Sequence, residues 1–240
     1  ASLGLGPGGL VGRTDYCAEP AAWIGGVPAV GGPKTPDLEH IEALAPDLVL
    51  VDPEENRLED ARALEAAGLT LWVARVDGPE GVPAVLRELG EALGLAGAAG
   101  RQADAVEARL SRPVPPEPAG QALTLVWWDP PMVVGPDRYA AGLLRRVGWE
   151  TPALGEGPYP AVCWSEVTGA RFDRLLLPSE PYAFSATQAA RFDRELGPAA
   201  DGRHRVKRVD GRDLFWYGAR TGAALERLAA AVPIPGGGQR

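Results

Sequence analysis

The chain has 240 residues, which is enough for one large hydrophobic core or two modest ones. Its apolar content of 45% and charged content of 23% are typical of a soluble globular protein. A net charge of −8 argues against nucleic acid or an anionic membrane as a partner, because both attract basic surfaces. No apolar run approaches the length that spans a bilayer.

The first part of the chain predicts short α/β elements. Residues 1–11 lack the basic start and long apolar stretch of a signal peptide, and predict the end of a helix followed by a strand at residues 10–11. Thr35 and Pro36 predict an N-cap and first helical position, and Pro46 ends that helix. The aliphatic residues 48–51 are typical of a buried parallel strand.

The next segment continues the same pattern. Asn56 and Glu59 have the spacing of a capping box, and Gly68 closes the helix that follows. A strand is predicted at residues 69–74. Because a strand, a helix and a strand follow each other with short connections, we expect a right-handed crossover and a parallel sheet.

The rest of the chain predicts a connecting helix and a second α/β region. Alanine, valine and leucine recur at helical spacing from Ala99 to Leu110, within residues 98–112, after a separate helix at residues 83–93. Proline-rich residues 112–118 end the connecting helix. Beyond it the sequence predicts strands at residues 123–127 and 206–209, helices at residues 138–147, 187–196 and 219–231, and a frayed tail at residues 233–240.

Two stretches of the chain repeat one pattern. In residues 37–54 and residues 163–180, a glutamate lies in a short helical stretch, an aspartate precedes an aliphatic strand, and a further glutamate follows that strand. The repeat predicts two similar Rossmann-like α/β lobes with parallel sheets and a ligand cleft between them. The predicted division is an N-terminal lobe at 1–97, a single long backbone helix at 98–112 and a C-terminal lobe at 113–240.

Catalytic and metal-binding motifs are weak. Cys17, Cys163, His40 and His204 do not have the spacing of metal ligands, so a metal site is not expected. We expect two free, largely buried thiols, with a disulfide only if the two cysteines meet in space. The glycine-rich residues 4–9 follow no strand, and neither a phosphate-binding loop nor a convincing serine–histidine–aspartate triad is present, so an enzyme is not expected.

Three segments carry a resemblance to a known family. They read Val-Gly-Arg-Thr-Asp-Tyr at residues 11–16, Gly-Gly-Pro-Lys-Thr-Pro at residues 31–36, and Leu-Ala-Pro-Asp-Leu-Val at residues 44–49. They resemble the helical-backbone, TroA-like substrate-binding proteins of ABC importers, with the greatest likeness to the cobalamin-binding branch. That family normally places a strand and a helix before the first of these segments, and here only the tail of that helix is predicted.

The resemblance implies a function and its partners. It implies capture of a corrinoid such as cobalamin in the interlobe cleft, delivery to a dimeric ABC permease, a monomeric protein and a periplasmic or other extracytoplasmic location. No catalytic cofactor is implied, because the metal chelate is the cargo. Two alternatives stay open: a ferric-siderophore or haem binder of the same fold, and a cytosolic enzyme or carrier on a two-lobe α/β scaffold.

The expected ligand contacts are aromatic and charged residues in loops. Aromatic rings suit a large flat chelate because they bury area with little loss of entropy. Trp127 and Trp128 are adjacent, so one is expected to pack inward, and we assign Trp127 to the core. Two of the charged candidates, Lys34 and Asp213, are equally consistent with solvated loop charges. The guanidinium group of Arg220 would suit ligand oxygens. The full set is Tyr16, Lys34, Trp128, Tyr159, Asp213, Trp216 and Arg220.

Glutamates form two further groups. Glu39 and Glu166 lie in the first turns of equivalent predicted helices, where a carboxylate stabilises the helix dipole. The resemblance adds a second interpretation, in which both glutamates dock onto basic pockets of the permease. Glu54, Glu55 and Glu180 follow strands, so they either contact ligand amides or cap the next helix.

Overall fold

The computed structural model describes residues 3–234. The chain divides into two compact units. Unit 1 contains the residues up to 75 together with 88–99, and unit 2 contains 76–87 together with the residues from 100 onward.

Unit 1 is built from short strands and helices. Its elements are β1 (Gly31–Gly32), β2 (Thr35–Pro36), α1 (Leu38–Ala43), β3 (Val49–Val51), α2 (Leu58–Ala66) and β4 (Leu71–Val73). β1 and β2 form an antiparallel pair, and β3 and β4 form the predicted parallel pair. Ile24, Val27, Ile41, Val51 and Leu64 are among its buried apolar residues.

Two predicted helix starts in unit 1 are wrong. Thr35 and Pro36 lie in β2, and α1 instead begins after Asp37, whose carboxylate accepts from the His40 backbone N–H at 3.0 Å. Asn56 does not cap α2, because its side-chain oxygen accepts from the Asp52 N–H at 2.8 Å.

The predicted strand at residues 10–11 is also wrong. The structure has a short 3-10 helix at Pro7–Gly9, and the first strand-like contact is an isolated bridge between Arg13 and Ala29. The glycine-rich start of the chain offers few side chains to pack on a sheet, which favours turns over a ladder.

Two consecutive helices run from one unit into the other. α3 spans Val82–Ala92 and α4 spans Ala96–Leu110, and the division into units falls inside each of them. The sequence predicted a single connecting helix at 98–112, and α4 is a continuous helix of 15 residues. The predicted boundaries of the lobes stay a prediction.

Unit 2 contains a four-stranded sheet. Its strands are ordered β6 (Met132–Val133), β5 (Ala122–Trp127), β7 (Arg174–Pro178) and β8 (Val206–Val209). β5, β7 and β8 are parallel, whereas β6 pairs antiparallel with β5 across an irregular register. The helices are α5 (Tyr139–Arg146), α6 (Trp164–Gly169), α7 (Ala186–Leu196), α8 (Gly211–Phe215) and α9 (Thr221–Ala231). The sequence did not predict β6 or α8.

The unit 2 sheet is buried on both faces, which explains its continuous aliphatic strands. On one face, Leu123, Leu125, Leu175 and Leu177 pack with Phe192 of α7 in one apolar cluster. Alternation places Thr124 and Leu176 on the opposite face, and both are fully buried. The predicted α/β class with parallel sheets is therefore confirmed.

The repeated pattern corresponds to repeated structure. In the first copy α1 is followed by β3, and in the second copy α6 is followed by β7. Cys17 and Cys163 are free thiols as predicted, but both are exposed, so the expectation of buried thiols is wrong. Cys163 is the N-cap of α6, and helix ends lie at the surface.

Candidate ligand-binding site

The carboxyl-end edge of the unit 2 sheet gathers several predicted ligand contacts. Glu180 follows β7, whereas α8 and then Trp216 follow β8. The carboxylate of Glu180 accepts a hydrogen bond from the Trp216 side chain. In turn the Arg220 guanidinium lies 5.4 Å from the centre of the Trp216 ring. The geometry makes Glu180, Trp216 and Arg220 one connected group.

Gly211 makes this group possible. A Cβ atom on Gly211 would lie 2.5 Å from the Glu180 carbonyl oxygen and 2.8 Å from its backbone nitrogen. The Gly211 N–H also donates to Ser179 Oγ at 3.0 Å. Only glycine lets α8 start this close to the loop after β7.

Burial changes the acidity of Glu180. Loss of hydration raises the pKa of the Glu180 carboxyl above its ordinary value, and the nearby Asp210 acts in the same direction. The hydrogen bond from Trp216 and the charges of Arg212 and Arg220 offset part of this rise. The folded state therefore disfavours the charged form of this carboxyl group.

Asp213 lies inside the protein, beneath Arg220. Its side chain is only 3% exposed, and it accepts from Arg220 at 3.1 Å and from Arg227 at 2.6 Å and 2.8 Å. Hydrogen bonding to Asp213 raises the pKa of Arg227. Asp213 is therefore a buried partner of two arginines and not a solvated loop charge. The roles of Asp213 and Arg220 as ligand contacts stay a prediction.

A second buried contact fixes the backbone next to Arg220. The Tyr139 hydroxyl and Thr221 Oγ1 form a hydrogen bond of 2.8 Å, and both residues are buried. Burial raises the pKa of Tyr139 well above its ordinary value, so the hydroxyl keeps its proton. This bond links α5 to the first residue of α9. Because Arg220 directly precedes that residue, the bond also fixes the backbone position of Arg220.

Trp127 and Tyr182 are candidates that the sequence analysis missed. Trp127 is 41% exposed, so its assignment to the core is wrong. It ends β5, and its ring packs edge-on against Tyr182 at 5.4 Å, in the loop after β7. The Tyr182 hydroxyl accepts from Gln188 at 3.1 Å. A tyrosine shortly after a buried strand was the available signal for this pair.

Trp128 has a different environment. It is half-buried and packs against Phe192 at 4.8 Å and Trp164 at 5.3 Å, on the apolar cluster between the sheet and α7. The Arg191 guanidinium lies 5.0 Å from its ring. The two tryptophans therefore have the opposite arrangement to the one expected: Trp128 packs inward and Trp127 is exposed.

Tyr159 lies alongside β6. Its neighbours Pro158 and Pro160 accept hydrogen bonds from the Gly135 and Val133 N–H groups at 2.9 Å and 3.1 Å. Tyr159 itself is half-buried. Its role as a ligand contact stays a prediction.

Unit 1 brings a second set of candidates together after β3. The ammonium of Lys34, in the turn between β1 and β2, donates to the Glu54 carbonyl at 2.7 Å. Asn56 also donates to the Pro33 carbonyl at 3.2 Å, so the turn is tied to the loop at two points. Tyr16 is 72% exposed, and its ring edge lies 3.3 Å from the position of a Cβ on Gly32.

Glu55 shares the electrostatic character of Glu180. Although the residue is exposed overall, its carboxyl group is crowded by the chain, and this loss of hydration raises the pKa of Glu55. The attraction of Lys34 lowers it in part, whereas Asp52 and Glu54 raise it further. Each unit therefore places a carboxyl group with a raised pKa after its first or second parallel strand.

Glu39 and Glu166 are both exposed in the first turns of their helices, as predicted. They differ in one respect. The Glu166 carboxylate accepts from the Cys163 N–H at 2.6 Å and so completes a capping box. At α1 the capping carboxylate is that of Asp37.

Two features are absent from the described residues. Between residues 3 and 234, no group of three or more His, Cys, Asp or Glu side chains is arranged to hold a metal ion. Over the same residues, no helix combines the length and apolar character needed to cross a membrane.

Comparisons with known proteins identify the fold. No protein-family model matches the chain, and no curated protein sequence matches it significantly. Solved structures do match. Vitamin B12 binding protein BtuF of Vibrio cholerae superimposes with a TM-score of 0.78 at 16% identity, covering 96% of this chain and 93% of BtuF. The chain has the fold of the periplasmic substrate-binding proteins.

Haem-binding proteins match equally broadly. Periplasmic heme-binding protein BhuT, in complex with two hemes, has a TM-score of 0.76 at 24% identity, covering 92% of this chain and 89% of BhuT. RhuT from Roseiflexus sp. RS-1, a periplasmic heme-binding protein, has a TM-score of 0.70 at 23% identity, covering 92% and 88%. The resemblance predicted from the sequence is confirmed for the fold, and these structures are binding proteins rather than enzymes.

Proposed function

We propose that this chain is the substrate-binding protein of an ABC importer and captures a metal chelate of the tetrapyrrole class, a corrinoid such as cobalamin. The observation that carries this proposal is the match in fold, over more than nine-tenths of the chain, to binders of vitamin B12 and of haem. The match covers both compact units.

The side chains at the strand ends support a large, flat ligand. Unit 2 offers the rings of Trp127, Tyr182 and Trp216, and unit 1 offers the exposed ring of Tyr16. Rigid aromatic rings bury much ligand area at little entropic cost. Carboxyl ends of parallel strands are also where open α/β sheets bind ligands.

The charge of these edges favours a corrinoid over haem. Glu55 and Glu180 are carboxyl groups whose pKa is raised, and Glu54 lies beside Glu55. A corrin ring carries neutral amide side chains, which can donate to such carboxyl groups. The propionates of haem are anionic and would be repelled by them. Arg220 is already shared with Asp213, so it offsets this repulsion only in part.

Haem is the second candidate, and Tyr16 favours it. A phenolate can serve as an axial ligand of haem iron, and Tyr16 is 72% exposed. Substitution of Tyr16 by Phe separates the two ligands. Loss of the hydroxyl would alter the absorbance of a haem-loaded protein, whereas stacking on a corrinoid needs only the ring.

The partner in this proposal is a dimeric permease. Glu39 and Glu166 lie in the first turns of α1 and α6, the equivalent helices of the repeated pattern. A permease with two-fold symmetry could bind one glutamate at each of two basic pockets. Exposed ion pairs contribute little individually, but they steer encounter and fix register. In this proposal the protein acts as a monomer outside the cytoplasm.

Tryptophan fluorescence tests the binding function and the site together. We expect cyanocobalamin to quench the protein at micromolar concentration, which gives a dissociation constant. Trp216→Leu removes the hydrogen bond to Glu180 and the contact with Arg220, so the affinity should fall about tenfold or more. Trp72→Leu, in β4 of unit 1, should leave it nearly unchanged. Equal effects of both substitutions would reject the proposed site.

A further inference from the structure

Unit 2 has a basic pocket on the opposite edge of its sheet from the candidate ligand site. It lies between the end of α7 and the start of β8, and has a volume of about 510 Å³. β8 has four residues, so its amino end and its carboxyl end lie about 10 Å apart. The pocket is therefore separate from the group around Glu180, which follows the carboxyl ends. Its lining is Asp193, Arg194, Gly197, Pro198, Gly202, Arg203, His204 and Lys207.

The charge of the lining is opposite to that of the whole protein. The chain carries a net charge of −8, yet the pocket has three permanently cationic side chains, one histidine and one carboxylate. Even with a neutral histidine, these residues leave two net positive charges around one opening. Cationic side chains that line one concavity raise the electrostatic potential inside it, and this potential attracts anions.

The single carboxylate of the lining is already engaged. Asp193 accepts from the Val206 backbone N–H at 3.0 Å and is hydrogen-bonded to His204. Although partial burial works against its charged form, these hydrogen bonds hold the pKa of Asp193 below its ordinary value. The oxygens of Asp193 are therefore engaged by the start of β8 and by His204.

The cations, in contrast, are largely uncommitted. Within the part of the chain that the structure describes, Arg194 and Lys207 form no ion pair. Arg203 approaches Asp201 only at 3.9 Å, and Asp201 already pairs with the buried Arg174. Gly197 and Gly202 contribute no side chain to the lining, so the backbone leaves room for a ligand.

From this geometry we infer that the pocket binds a multivalent phosphate. Two guanidinium groups and one ammonium group match the several oxygens of a phosphate ester or a polyphosphate, because arginine binds such oxygens with two parallel hydrogen bonds. A ligand with one carboxylate group would engage only part of the positive charge of the pocket and fill only part of its volume. The ligand is either a soluble phosphate or the headgroup of an anionic phospholipid, and both present the same chemistry.

The test uses sodium tripolyphosphate for the soluble ligand and phosphatidylglycerol vesicles for the lipid. Calorimetric titration of the full chain with tripolyphosphate at low salt should show saturable binding at one site. In Arg194→Gln/Lys207→Gln the affinity should fall about tenfold or more, because two of the three cations are lost. Added salt should weaken binding to the parent protein.

A matched control separates the site from general charge. Arg62→Gln/Arg101→Gln makes the same change in charge on exposed arginines of α2 and α4, and should bind as the parent does. Both double variants should fold normally, since none of these four side chains forms an ion pair among residues 3–234. The urea midpoint checks this point.

The vesicle arm identifies the source of the phosphate. Flotation with phosphatidylglycerol vesicles that is lost in Arg194→Gln/Lys207→Gln, with phosphatidylcholine vesicles as the blank, would support the site with a lipid ligand. Tripolyphosphate binding without flotation would support it with a soluble ligand. The inference fails if neither ligand binds saturably, or if both double variants lose binding equally. Cyanocobalamin titration is independent of either result.

Discussion

The Arg220 guanidinium is held at 3.1 Å by the Asp213 carboxylate, which is 3% exposed. Arg220 itself is 26% exposed and lies over the Trp216 ring. A buried carboxylate therefore orients a partly exposed arginine at the edge of the sheet. Arrangements of this kind lower the entropic cost of binding, because the ligand finds its partner already positioned.

Substitution of Asp213 should lower the stability of the folded protein. Asp213→Asn leaves the guanidinium groups of Arg220 and Arg227 without a balancing charge. We expect the free energy of unfolding to fall by roughly 2–3 kcal/mol. This loss is smaller than that for a fully buried ion pair, because both arginine side chains remain partly exposed to solvent. Urea denaturation measures it. Asp104→Asn, at the exposed pair with Arg87, should change little.

Gly211 should not tolerate a side chain. In Gly211→Ala the new Cβ meets the Glu180 backbone, so α8 must shift. The expected loss is on the order of 2 kcal/mol in unfolding free energy, together with a loss of cobalamin affinity as Trp216 moves. The matched control is Gly100→Ala within α4, where the space is open. It should stabilise the protein by up to about 1 kcal/mol.

The raised pKa of Glu180 predicts a pH-dependent effect on stability. Because the folded state disfavours its charge, the destabilisation is present above the folded pKa and disappears as the pH falls through that value. Glu180→Gln removes it and can still accept from Trp216. The variant should be more stable than the parent at about pH 7, and this advantage should shrink by about pH 4.

The control for this effect is Glu65→Gln on the exposed surface of α2. It should show no comparable pH-dependent gain. The account of Glu180 would be contradicted if Glu180→Gln were no more stable than the parent at neutral pH. It would also be contradicted if the gain in stability grew on acidification. Its cobalamin affinity should fall at neutral pH if the carboxylate accepts from ligand amides.

The docking proposal needs substitutions that preserve the helix caps. Reversing Glu166 to Lys would also break its hydrogen bond to the Cys163 N–H, so loss of docking could reflect the loss of a cap. Glu39→Gln/Glu166→Gln keeps an acceptor at the cap while removing both charges. We expect weaker binding to the permease at low salt, with unchanged unfolding and cobalamin affinity. Normal docking of this variant would reject the assignment.

Sequence reasoning predicted the elements better than the side-chain partners. The aliphatic runs that became β3 and β7, and the helical spacing of α4, depend on local patterns that the sequence records directly. The reversal at Trp127 and Trp128 has a tertiary cause. β5 is buried on both faces, and its register shifts between Leu125 and Trp127, so simple alternation fails at its end.

The candidate site was predicted as residue types in loops and not as a network. Arg227 was not singled out, because its pairing with Asp213 joins residues 14 apart from two different helices. The tie between Lys34 and Glu54 likewise depends on how the β1–β2 turn lies on the loop after β3. Such contacts depend on packing, which local spacing does not encode.

The most direct test of the central claim is ligand retention. The full chain is incubated separately with cyanocobalamin, haemin and a ferric siderophore, desalted, and its absorbance spectrum is recorded. We predict that the protein retains cyanocobalamin in an equimolar amount, and that Trp216→Leu retains less while Trp72→Leu retains as much as the parent. Retention of haemin or the ferric chelate alone would contradict the choice of ligand. Retention of none of the three would contradict the proposed function itself.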